Sequence, residues 1–163
     1  MTNNDILRRI RYIFDFNDDK MIALFAAAEC EVSRAEISDW MKQDSDPDFK
    51  KLSDKQLATY LNGLINDKRG KREGPQPVPE KVLTNNAIFM KLKIALNLQA
   101  EDILEIMDLS DFRMSKHELS AFFRKTGHKH FRECKDQILR TFLKGLQMQY
   151  RHDEKSDKDF QWK

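Results

Sequence analysis

Residues 84 to 151 repeat residues 2 to 69 at a constant offset of 82 with no gap, and this internal copy constrains the fold more than any other feature of the chain. Thr2, Asn3, Asn4 and Ile6 align with Thr84, Asn85, Asn86 and Ile88, and Ser33, Glu36 and Ser38 align with Ser115, Glu118 and Ser120. The same offset carries Phe49, Asp54, Leu57, Thr59, Leu61, Gly63, Leu64 and Arg69 onto Phe131, Asp136, Leu139, Thr141, Leu143, Gly145, Leu146 and Arg151. Fifteen of 68 positions are identical, where average composition gives roughly four by chance. A lone unit of this length has a marginal core, so the two copies are expected to pack on each other and complete a shared one.

Charged residues make up 34% of the 163 positions and only five are Gly, the balance of a helix-rich chain with no strands. Each copy reads as four helices. In the first, Ile6, Ile10, Ile13 and Phe14 recur at helical spacing after Thr2, Asn3 and Asn4, which predicts a helix over about 4 to 15. Met21, Leu24, Phe25 and Ala28 give the second. Ser33 with Glu36 is a capping box opening the third, with Ile37, Trp40 and Met41 as its stripe. Ser53 with Gln56 opens the fourth, with Leu57, Tyr60, Leu61 and Leu64. The second copy follows the same plan through Leu92 and Leu96, Ile103 and Met107, the box Ser115/Glu118 with Leu119, Phe122 and Phe123, and lastly Leu139, Phe142, Leu143 and Leu146. The fold class is therefore all-α, two tandem four-helix repeats. Gly63 and Gly145 sit inside the fourth helix of each copy, where Gly costs about 1 kcal/mol relative to Ala. With Thr59 and Thr141 four residues earlier, each predicts a small-residue notch that another helix enters.

The copies span 1 to 69 and 84 to 151. Between them, residues 70 to 83 carry Pro75, Pro77 and Pro79 at alternate positions, which forbids a continuous helix and favours an extended linker that lets the second copy fold back. Residues 152 to 163 form a polar tail without a counterpart, expected to be frayed.

Composition also excludes functions. The longest apolar run, Met21 to Ala28, has eight residues, far short of the ~20 needed for a membrane helix. The N-terminus lacks a basic-then-apolar signal pattern, so the chain is expected in the cytoplasm. Cys30 and Cys134 are not equivalent under the repeat and are expected as reduced thiols. No hydrolase elbow, phosphate loop, zincin helix or dinucleotide fingerprint occurs, and nothing pairs a nucleophile with a base, so no enzyme and no cofactor are expected.

The second and third helices of each copy have the spacing of a helix-turn-helix, with Ala27, Cys30, Val32, Ile37 and Trp40 at its structural positions, and Leu109, Phe112, Met114, Leu119 and Phe122 in the second copy. Glu31 and Arg113 stand where the turn normally has Gly. Phosphate contacts supply most of the affinity of a nucleic-acid binder, and the charges are unequal. Residues 1 to 69 hold eleven Lys/Arg against thirteen Asp/Glu, and residues 84 to 151 hold twelve against eight. The nucleic-acid contact, if one is made, falls on the second copy at Lys116, Arg124, Lys125, Lys129 and Arg132, against the plain reading of a solvated charged face. His128, His130 and Cys134, with His117 as a further imidazole expected near them, offer imidazole and thiolate donors suited to zinc, though at a spacing that matches no standard ligand pattern. Surface histidines beside an apolar cysteine are the competing reading. The Asn pairs 3/4 and 85/86 exceed what one helix cap needs. The surplus Asn either binds a ligand or bonds to the other copy, with capping plus a structural contact as the plainer account.

The strings TNNDILRRIRYIF, PVPEKVLTNN, SKHELSAFFRK and CKDQILRTFLKGLQ resemble the YehS-like family of uncharacterised bacterial proteins, over residues 1 to about 151. The resemblance implies an all-helical, duplicated cytoplasmic protein and supplies no catalytic residue. The expected function is a non-catalytic binding module, regulatory in character, with a macromolecular partner and nucleic-acid-binding potential on the second copy. The alternative is a protein adaptor or self-assembling helical domain without nucleic-acid contact.

Overall fold

In the computed structural model, residues 1 to 151 are described, and the polar tail from 152 to 163 lies outside them. The described residues form eight α-helices and no strand. The first copy contributes α1 (Asn3–Phe14), α2 (Asp18–Ala27), α3 (Arg34–Met41) and α4 (Asp54–Arg69). The second contributes α5 (Asn85–Ala95), α6 (Ala100–Leu109), α7 (Lys116–Ala121) and α8 (Asp136–Arg151). The chain divides into two compact units, the first covering Met1–Leu83 and the second beginning at Thr84.

The caps form as the sequence predicts. The Ser33 hydroxyl accepts the Glu36 N–H at 3.1 Å while the Glu36 carboxylate accepts the Ser33 N–H at 3.0 Å, and Ser53 with Gln56 and Ser115 with Glu118 repeat the pattern. Each box satisfies two amide groups that the first turn leaves without helical partners. The turns also keep the register of 82: among the described residues the four non-Gly residues with positive φ are Asp15 with Asn97 (54° and 53°) and Glu29 with Asp111 (61° and 58°). Asp or Asn at three of these four positions suits a left-handed helix exit.

Each unit closes a core of its own. In the first, Leu7, Ile10, Phe25, Ile37, Leu57 and Leu61 are fully buried, and Phe25 packs on Trp40 and Tyr60 with ring centroids 5.4 and 5.2 Å apart. The Tyr60 hydroxyl reaches the Met21 sulfur at 3.5 Å, and burial pushes its pKa up. The second unit moves its central aromatic ring from α6 to α5. Phe89 replaces Leu7, Met107 replaces Phe25, and Phe89 packs on Phe142 at 4.7 Å and Phe122 at 6.2 Å. The exchange keeps volume while changing which helix supplies the ring, the kind of swap cores tolerate best.

The notches at the two glycines are filled by the second helix of the same copy. A methyl group on Gly63 would lie 1.7 Å from the Leu24 carbonyl oxygen, and one on Gly145 2.1 Å from that of Ile106. These contacts set the crossing of α2 on α4 and of α6 on α8.

Both asparagines of each pair are structural. The Asn4 amide nitrogen donates to the Trp40 and Lys50 carbonyls at 3.0 and 2.9 Å, and its oxygen accepts the Leu52 N–H at 2.9 Å. Asn3 donates to the Leu52 carbonyl and to the Asp54 carboxylate. Asn86 repeats the clamp on Phe122, Arg132 and Cys134, and Asn85 repeats it on Cys134 and Asp136. The loop between the third and fourth helices of each unit is thereby tied to the start of the first.

The proline-rich segment belongs to the first unit as a strap. Asn66 donates to the Gln76 side chain at 3.0 Å, and the Leu83 N–H donates to the Asp54 carboxylate at 2.9 Å. Twelve helical residues from Asp54 to Asn66 cover about 18 Å, and seven residues at the polyproline rise of about 3.1 Å cover about 22 Å. The extended conformation thus lets the strap return along α4 to its first residue.

Candidate nucleic-acid interface

Five cations were expected on one surface of the second copy, and the structure places them on α7 and on the loop leading to α8. Arg124, Lys125, Lys129 and Arg132 are exposed along this loop, with Lys116 at the start of α7. The loop has a defined shape. His128 N–H donates to the Lys125 carbonyl, Phe131 N–H to that of His128, and Arg132 N–H to that of Ala121, at 2.9 to 3.1 Å. The same three bonds recur 82 residues earlier, as Asp46 to Gln43, Phe49 to Asp46 and Lys50 to Asp39. The two loops share one backbone pattern and one asparagine clamp, but carry opposite chemistry. Where the first presents Asp44, Asp46 and Asp48, the second presents Thr126, His128 and His130.

Pairing sharpens the contrast. In the first unit Arg34 is held by Asp18 and Asp19, and Lys42 by Asp39. In the second unit Arg124, Lys125 and Lys129 make no ion pair among the described residues. Lys116 is paired with Glu101 at 2.7 Å, which holds the Glu101 carboxyl below its ordinary range. The Arg132 guanidinium lies over the Phe122 ring, 5.3 Å from its centroid. Glu118, the one acid of α7, has its pKa lowered mainly by the Ser115 N–H and hydroxyl of its cap, and further by Arg132 and His117. Of the five expected residues, three are therefore free cations, one is neutralised, and one is fixed on an aromatic face.

The sequence grouped His128 and His130 with Cys134 and set His117 near them, and the structure brings the three imidazoles together without the thiol. His117 on α7 meets His130 at 6.3 Å between ring centroids, and His130 meets His128 at 5.6 Å. His130 N–H also donates to the His128 ring nitrogen at 3.0 Å. Three flat, hydrogen-bonding rings thus lie among the loop cations, able to stack on bases or bond to phosphate oxygens.

The expected zinc set is not assembled. Among the described residues no group of three or more His, Cys, Asp or Glu side chains is placed to hold a metal ion. His128 and His130 are on the exposed loop, whereas Cys134 is 2% exposed in the core. Burial pushes its thiol up to about 12, which leaves it protonated and unsuited to bind metal at neutral pH. Cys30 is also a free thiol, half-buried at the end of α2.

No solved structure matches the chain. The chain is 42% identical over 147 residues to "Uncharacterized protein YehS" of Escherichia coli (strain K12), a match covering 90% of this chain and 94% of the relative. The family model described as "Protein of unknown function (DUF1456)" matches twice, over residues 3–70 and 85–152, so each copy is one family unit and the chain belongs to the DUF1456 family.

Proposed function

We propose that this protein is a non-catalytic, regulatory binding module of the cytoplasm whose second repeat grips nucleic acid through α7 and the loop that follows it. One observation carries the reading: two loops of the same hydrogen-bonded shape carry opposite chemistry, one acidic and one cationic, and Arg124, Lys125 and Lys129 of the second make no ion pair among the described residues. Unpaired, exposed Lys and Arg on a rigid loop release counterions from a phosphate backbone at little ordering cost. The α6–α7 hairpin serves as the platform in the manner of a helix-turn-helix, although α7, with six residues, is too short to read a groove along its length. Backbone contact with modest sequence preference follows. Among the described residues no helix is long and apolar enough to cross a membrane, in keeping with a partner met in solution.

Fluorescence anisotropy with labelled DNA and RNA duplexes and single strands, across a salt series, tests this. Binding that weakens steeply with salt is expected, and the slope should fall by about one for Lys129→Gln. An absence of salt-dependent binding at micromolar protein would remove nucleic acid as the partner. The second reading, a protein adaptor, draws on Val78 and Val82 of the strap, which are 85% and 77% exposed. A pull-down that retains one protein after nuclease treatment supports it.

A further inference from the structure

A cavity of about 390 Å³ lies in the first unit, between the end of α2, the exposed side of α4 and the proline strap. This volume is within the range of small-molecule sites. Its apolar walls are Ala28 and the rings of Pro77 and Pro79, and its buried floor includes Thr59 and Asn62. Its charges are more informative. Glu29 is neutralised by Lys71 at 2.9 Å. Glu31 and Lys55 also line the cavity, and among the described residues neither makes an ion pair, with the other or with any third group. Lys55 lies in the first turn of α4 and Glu31 four residues beyond the end of α2, so the cavity lining offers one ammonium and one carboxylate that no described residue pairs. The Thr59 hydroxyl donates its proton to the Lys55 carbonyl at 2.7 Å, which leaves its oxygen as an acceptor.

We infer that this cavity binds a free α-amino acid: the carboxylate of the ligand on Lys55, its ammonium on Glu31, and its side chain against the proline rings. A ligand with one charge of each sign engages both groups at once, whereas a simple anion or cation engages only one of them. The second repeat has no such cavity chemistry. Phe112 stands in place of Cys30, Arg113 in place of Glu31, Gln137 in place of Lys55 and Lys144 in place of Asn62, and no proline follows α8. The site is independent of the proposed nucleic-acid surface.

The test is a ¹⁵N–¹H correlation titration of the full chain with each of the common L-amino acids added singly to about 10 mM, a range that detects millimolar affinity. At least one amino acid should shift the amide signals of residues 28 to 31, 55 to 66 and 76 to 78 together. Its decarboxylated amine and its deaminated acid should each bind about ten-fold more weakly, and so should the parent amino acid to Glu31→Gln and to Lys55→Gln. Both side chains are exposed, so neither substitution disturbs the core. The inference is overturned if no amino acid shifts these signals, or if the amine or the acid alone binds as tightly as the amino acid.

Discussion

The carboxamide of Asn4 and the backbone of Leu52 are joined by a 2.9 Å hydrogen bond across 48 residues of sequence, with the Asn4 side chain fully buried. Because the same side chain also donates to Trp40 and Lys50, Asn4→Ala strands three backbone groups. The expected loss is about 3 kcal/mol, since each buried unsatisfied group costs about 1 to 3 kcal/mol and water recovers part of it. Asn86→Ala should cost less, because two of its three bonds are only part-buried and the third reaches an exposed residue. Denaturant unfolding of both variants measures the difference, and equal losses would contradict the role of burial.

Helix propensity and packing make opposite predictions for Gly63→Ala. Propensity alone stabilises by about 1 kcal/mol, but the new methyl group would meet the Leu24 carbonyl at 1.7 Å. Overpacking against backbone costs about 3 kcal/mol or more, so the variant should unfold earlier, as should Gly145→Ala. Thermal unfolding decides, and a raised Tm in either variant would show that the helices are not in close contact there.

Asp54 links the strap to α4, and its acidity gives the link a pH dependence. The Leu83 N–H, followed by the Asn3 side chain, holds its carboxyl below the ordinary value of 3.8. A carboxyl with a depressed folded pKa contributes stability that is present above its unfolded value and is lost as pH falls through the folded one. Wild-type stability should therefore drop below about pH 4 more steeply than that of Asp54→Asn, which lacks the titrating group. Parallel acid unfolding curves for the two proteins would contradict the link.

The two thiols should react in a fixed order. Burial and the nearby Glu36 push the Cys30 thiol up, but it remains half-buried, whereas Cys134 is 2% exposed with its thiol up at about 12. Thiolate is the reactive form. Iodoacetamide near neutral pH should modify Cys30 slowly and leave Cys134 untouched until the protein unfolds, with peptide mass spectrometry as the readout. Faster labelling of Cys134 would mean that the second core opens readily.

What the sequence revealed was local or periodic. Ser33, Ser53 and Ser115 mark helix starts because a cap involves residues three apart, and Gly63 marks a close crossing because Gly has no other reason to occupy a helix interior. The asparagine clamp was not legible in this way. Its partners are backbone groups 36 to 48 residues away, and any side chain at Trp40, Lys50 or Leu52 presents the same carbonyl or N–H. The strap was read as an extended linker and no more, because proline spacing reports conformation but not the surface that the segment lies against. The five cations were found from charge alone, yet their partners depend on tertiary distance: Lys116 is neutralised by Glu101, 15 residues earlier. The contact of His117 with His130 likewise needs the loop to fold back on α7.

The central claim is that the loop between α7 and α8 owes its partner to its charge and not to its shape, and replacing its chemistry with that of the first repeat tests this most directly. Lys125→Gln, His128→Asp and His130→Asp together install the residues found at positions 43, 46 and 48 on a loop that the same turns and clamp hold. Anisotropy titrations with nucleic acid at low salt should show binding by the wild-type chain and its loss, about a hundred-fold or more, in the folded triple variant. Equal binding by the two proteins would contradict the account.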